Sequence, residues 1–111
     1  MENAITKAGR NGMPPIHPGI VLKEMFLDPY SLSVNKLSER MHVTAARISE
    51  IVRGKRGVTA DTAARLAKVF GTTTEFWLNL QNAYDIRTLE TTVNNDIESL
   101  EPYTFPEEAF A

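Results

Sequence analysis

The stretch Leu37-Ser38-Glu39-Arg40-Met41-His42-Val43-Thr44-Ala45-Ala46-Arg47-Ile48-Ser49-Glu50-Ile51-Val52-Arg53-Gly54-Lys55 decides how this chain folds. Leu37 and Met41 stand four apart, as residues on one helical face do. Ser33 supplies an N-cap oxygen for that helix just upstream. Thr44 caps the next helix, whose apolar residues Ile48, Ile51 and Val52 fall at i, i+3 and i+4, and Gly54 stops it. Only Met41-His42-Val43 separates the two helices, which is the spacing of a helix-turn-helix.

Outward from this pair the chain reads as helix throughout. Pro18 suits a helix's first position, and Ile20, Val21, Leu22, Met25 and Phe26 predict an apolar stripe ending before Asp28-Pro29. Thr59 opens a fourth helix, closed by Gly71, with Ala63, Leu66, Ala67 and Phe70 inward. Thr72 and Glu75 have capping-box spacing and predict a fifth helix through Phe76, Trp77, Leu80 and Tyr84 to about Thr91. No segment alternates with period two, so the expected fold is all-α, a five-helix domain over residues 13–91. Residues 1–12 read as a disordered lead-in and residues 92–111 as an acidic C-terminal extension.

Composition narrows the function classes. A chain of 111 residues suits one domain, and the absence of cysteine excludes a disulfide scaffold, a thiol nucleophile and a zinc finger. His17 and His42 lack metal-ligand spacing, so neither a metal nor another cofactor is expected. No Ser/His/Asp arrangement or phosphate-binding glycine loop points to an enzyme. The start of the chain has no signal-peptide pattern and no segment is apolar enough to span a membrane, which predicts a cytoplasmic protein.

The net charge of −2 argues against a nucleic-acid partner until it is divided along the chain. Residues 1–57 hold nine Lys/Arg against five acids, whereas residues 58–111 hold three against nine. Such asymmetry is a hint of a nucleic-acid face joined to an acidic partner-binding or solvating segment.

With Ile48 inward, the front of the third helix presents Ala46, Glu50 and Arg53, flanked by Arg47 and Ser49, with Thr44 and Ala45 at its tip. An apolar back and a short-residue front suit a rod entering the major groove. Arg47 is placed to read a guanine edge, while Lys36, Arg53, Lys55 and Arg56 suit phosphates. The plainer alternative is a solvated face in which Arg47, Glu50 and Arg53 are tied by i, i+3 ion pairs. Trp77 reads as a core aromatic. Asn79, Gln81 and Asn82 line either a dimer or partner-protein interface or an ordinary wet surface.

The quoted stretch resembles, without a gap, the Cro/C1-type helix-turn-helix of phage repressors. Further blocks join it: Met13-Pro14-Pro15-Ile16-His17-Pro18-Gly19, Ile48 to Gly57, Thr59-Ala60-Asp61-Thr62-Ala63, and Phe76-Trp77-Leu78-Asn79-Leu80-Gln81-Asn82-Ala83-Tyr84-Asp85. Together they resemble the HigA family of antitoxins, the virulence-associated protein I group, over about residues 13–90. The resemblance implies a lambda-repressor-like fold, a homodimer on an inverted repeat in operator DNA, and a partner toxin like HigB, a basic ribonuclease that cuts messenger RNA.

Carried over by position, Thr44, Ala45, Ala46, Arg47 and Glu50 fall where phage repressors touch bases and nearby phosphates. The full set expected on DNA adds Ser33, Lys36, Ser49, Arg53, Lys55 and Arg56. Three positions depart from the pattern. Val34 replaces a phosphate-binding Gln, His42 replaces the turn Gly, and Ala45-Ala46 leave only methyl contact with thymine. These departures keep two rivals open: a solitary helix-turn-helix regulator, and a toxin-binding module with little DNA binding. The acidic tail is either solubilising disorder or a clamp in which Glu98, Glu101, Glu107 and Glu108, with Tyr103, Phe105 and Phe110, grip a basic partner.

Overall fold

The first helix starts where a donor and an acceptor meet. His17 Nδ1 accepts the Gly19 N–H at 2.9 Å, and Pro18 follows at N1, where a missing N–H costs nothing. A computed structural model describes residues 14–92 and 95–107. The lead-in expected over residues 1–12, and Glu108 and Phe110 of the tail, lie outside the described residues.

Helix α1, Pro18–Val21, winds directly into a π-helical stretch, Leu22–Leu27, and a 3₁₀ turn, Asp28–Tyr30. In π winding, the i→i+5 bonds bring residues five apart toward one face. Leu22 and Leu27 are therefore both buried. This corrects the expected stripe: Met25 is 59% exposed, because a 3.6-residue period no longer describes the segment, and Ile20, in the α-helical turn before it, is 43% exposed. Ser31, at φ +51°, ends it.

The next four helices follow their caps. They are α2, Val34–Met41; α3, Ala45–Val52; α4, Ala60–Phe70; and α5, Thr74–Thr91. Ser33, Thr44 and Thr59 each accept the N–H three residues on, and Gly71 at φ +71° ends α4. One detail differs. Thr73, not Thr72, caps α5 by accepting from Phe76 N at 3.0 Å. Thr72 Oγ1 instead accepts the Trp77 indole N–H at 2.8 Å, since a fully buried indole needs a partner. A single turn, α6, Asn95–Glu98, forms within the acidic extension. No strand occurs among the described residues.

Leu22, Leu37, Ile48, Ile51 and Leu66 close the core with no exposure, each worth about 1.5–3 kcal/mol relative to an exposed side chain. Trp77 is a core residue, as expected. Its ring sits 5.2 Å from that of Phe26 and 5.1 Å from that of Phe76.

The tightest approach is backbone on backbone. A Cβ added at Gly19 would stand 1.9 Å from the Ile51 carbonyl oxygen and 3.0 Å from the Val52 Cα, so α1 lies directly on the end of α3. Neither neighbour is a flexible tip that can swing away. Replacing Gly19 with Ala should therefore destabilise the fold by about 3 kcal/mol or more, read as a fall in urea midpoint. Gly71→Ala is the control. It meets nothing within 4 Å and should cost only the left-handed backbone penalty of about 1–2 kcal/mol.

Candidate nucleic-acid interface

Helices α2 and α3 are joined by a turn whose pivot is His42, at φ +57° and ψ 44°. That left-handed conformation is the structural role expected of the residue replacing glycine. His42 N–H and Val43 N–H close onto the Glu39 and Ser38 carbonyls, which ends α2. Thr44 then caps α3 by accepting Arg47 N–H at 3.1 Å. Ile48 and Ile51 are fully buried, so the opposite face of α3 is turned outward.

The residues expected on DNA are spread over the start of α2, over α3 and over the loop that follows it. Ser33, Lys36, Thr44, Ala46, Arg53, Lys55 and Arg56 are exposed, and Ala45, Arg47, Ser49 and Glu50 are half-exposed. The Ser33 and Thr44 hydroxyls accept their cap bonds through oxygen, leaving each O–H proton available to a phosphate.

The ion pairs differ from the i, i+3 pattern. Glu50 receives Arg56 at 2.7 Å through Nε and Nη2. Arg47 Nη1 instead reaches Asp61 Oδ2, on α4, at 3.3 Å. Asp61 Oδ2 also receives Arg65 Nε at 2.9 Å, and Arg65 Nη1 donates to the Met41 carbonyl at the end of α2 at 2.8 Å. The Arg65 hydrogen bond, with the two arginine charges, holds the Asp61 carboxyl below the usual carboxylate range. Sequence reasoning missed Asp61 and Arg65. Their i, i+4 spacing was a readable signal, but their reach to α3 and α2 was not.

Gln81 has a role within the fold that neither expectation included. Its Oε1 accepts Val58 N–H at 2.7 Å and its Nε2 donates to Asp85 at 2.9 Å, so it pins the loop after α3 to α5. Asn79 and Asn82 remain exposed.

His17 ties the basic loop to the rest. Its ring is 7% exposed, meets Tyr84 edge-on at 4.8 Å, and would lie 3.8 Å from a Cβ at Gly54. No group of three or more His, Cys, Asp or Glu suited to a metal occurs among the described residues, and none of their helices is long and apolar enough to cross a membrane.

Comparison with known proteins places this arrangement. Residues 22–77 match the helix-turn-helix family. Virulence-associated protein I of Dichelobacter nodosus is 52% identical over 83 residues, covering 75% of this chain and 77% of its own. The solved structure of the Pseudomonas aeruginosa antitoxin HigA with the higBA promoter superposes with a TM-score of 0.74 at 37% identity, covering 81% of this chain and 99% of that one. Antitoxin GraA in complex with its operator gives 0.75 at 41% identity, with 86% and 97% covered. The chain belongs to the Cro/C1-type helix-turn-helix family and, within it, to the HigA antitoxin group.

The buried ring at the foot of this interface makes stability pH-dependent. Burial, the largest influence, lowers the His17 pKa, against opposing effects of a hydrogen bond to the Arg56 backbone and of the Asp85 charge. The folded state therefore prefers neutral imidazole. Its stability contribution is complete above the usual imidazole range and declines as pH falls from the unfolded pKa to the lower folded one. Urea midpoints should drop between pH 7.5 and 5.5. His17→Asn, which keeps a cap acceptor but does not titrate, should flatten that drop.

Proposed function

We propose that the chain is the antitoxin of a toxin–antitoxin pair, repressing its own operon as a homodimer and neutralising a HigB-like, messenger-RNA-cleaving toxin. The observation that carries the DNA half is the outward face of α3. Short residues, Thr44, Ala45, Ala46 and Ser49, leave room for the helix to enter a groove, with Arg47 beside them and Arg53, Lys55 and Arg56 following. Relatives of the same group have been solved with a promoter and with an operator, which supports the reading.

Symmetry follows from length. An eight-residue helix is about 12 Å long and spans only a few base pairs, so selective binding calls for two copies. A dimer would meet an inverted repeat with half-site centres about 34–36 Å apart. Such a protein acts by binding rather than catalysis, and it works in the cytoplasm, where operator and messenger RNA are.

The toxin half is supported by the acidic extension. Six acids and no Lys or Arg follow Arg87. Within the extension, the exposed rings of Tyr103 and Phe105 pack edge to face at 4.8 Å. A ribonuclease must attract phosphates, so its face is basic and suits carboxylates with aromatic anchors between them.

Two experiments test the halves separately. Arg47→Ala should cost about 1–3 kcal/mol of operator affinity and relax preference at one base pair. Lys55→Ala should weaken every duplex alike and reduce the salt slope by about 0.9. Intact operator binding by the Arg47 variant would remove α3 as the reading helix. Deleting residues 92–111 should weaken capture of the basic toxin made from the adjoining reading frame, with operator binding kept. Unchanged toxin affinity would show that the clamp lies elsewhere.

A further inference from the structure

We propose that Asp61 is a positioning residue for sequence readout: it holds the Arg47 guanidinium in one orientation and sharpens base choice without touching a base. This rests on α3 being the recognition helix.

Asp61 sits in the first turn of α4, on a different element from the arginine it holds. One carboxylate oxygen, Oδ2, serves both arginines, Arg65 at 2.9 Å and Arg47 at 3.3 Å. Arg65 is itself fixed at its other end by the Met41 carbonyl. A continuous chain of charge-assisted hydrogen bonds therefore runs from the last residue of α2, through α4, to Arg47 on α3. The Arg47 side chain is only 27% exposed, so most of it is already covered. One Nη1 proton is used, and the rest of the five-donor fork stays available.

Two physical consequences follow. A free arginine loses substantial rotamer entropy when it docks, whereas one held by a carboxylate has lost part of it beforehand. The fork then keeps a single approach direction, which bidentate contact with guanine O6 and N7 requires and a phosphate does not. A carboxylate beside Arg47 also offsets part of its charge and so opposes sequence-independent attraction to phosphates. Both effects raise discrimination more than they raise affinity.

The experiment uses the full chain and two duplexes, one from the gene's own promoter and one of equal length and scrambled sequence. A set of promoter duplexes with single base-pair changes accompanies them. Asp61→Asn should lower the promoter-to-scrambled affinity ratio by about 5–10-fold, concentrated at one base pair per half-site. In an Arg47→Ala background the same substitution should leave the ratio unchanged, which an effect through folding alone would not do. If the parent protein does not discriminate the promoter, the recognition-helix reading fails and this inference with it. If the parent discriminates and Asp61→Asn keeps the full ratio, this inference alone is overturned. It is also overturned if both duplexes bind more tightly by the same factor, because Asp61 would then only repel phosphates. Equal loss of discrimination with and without Arg47 overturns it as well.

Discussion

The fold turns on a missing methyl group. Because Gly19 has no Cβ, the α1 backbone rests on the Ile51 carbonyl, at the end of the helix whose other face is left open to solvent. A helix meant to read DNA, as α3 is proposed to do, cannot be gripped from the front, so its back and both ends must hold it. Ile48 and Ile51 bury the back. At its C-terminal end, Gly19 and the His17 ring meet Ile51 and Gly54. At its N-terminal end, the Thr44 cap and the Arg47–Asp61 pair set its entry. These constraints come from α1, α4 and the α2–α3 turn, so α3 is placed by three separate elements.

How much of this was legible in the sequence depends on how local the chemistry is. The caps at Ser33, Thr44 and Thr59, the stop at Gly71 and the turn at His42 each involve residues within a few positions, and each stands where it was read. The first helix starts and ends as expected, but its inward face differs in part, because π winding changes the period on which a hydrophobic stripe is counted, exposing Met25 and burying Leu27. Among Thr72, Thr73 and Thr74, spacing alone chose Thr72 as the cap. Thr73 takes the cap because Thr72 serves the buried Trp77 indole five residues on, a need that cannot be seen until Trp77 is placed in the core. The role of Gln81 is hidden in the sequence for a similar reason: its partner, the Val58 N–H, lies 23 residues away in the loop after α3.

The candidate site divides the same way. Its members could be listed from a helical wheel, since facing outward from α3 is a property of one helix. Their partners could not. Sequence spacing offers Glu50 to Arg47 and Arg53, but Glu50 takes Arg56 across the helix end and Arg47 takes Asp61 from α4. Which carboxylate an arginine meets is decided by tertiary packing, and an exposed pair formed by neighbours in sequence has only a few tenths of a kcal/mol with which to resist.

That division bears on the charge of the whole molecule. The basic half of the chain holds two kinds of cation. Arg47 and Arg56 are each held by a carboxylate, while Lys36, Arg53 and Lys55 have no ion pair among the described residues. Held and free cations do different work on a polyanion. Free ones exchange counterions for phosphates and supply affinity that ignores sequence, whereas held ones add little net charge but keep a fixed geometry. On the proposed reading, a chain whose overall charge is −2 gives up general attraction to nucleic acid while keeping fixed groups for choosing among duplexes. If α3 faces DNA as proposed, the acids at Glu50 and Asp61 are what tip that balance.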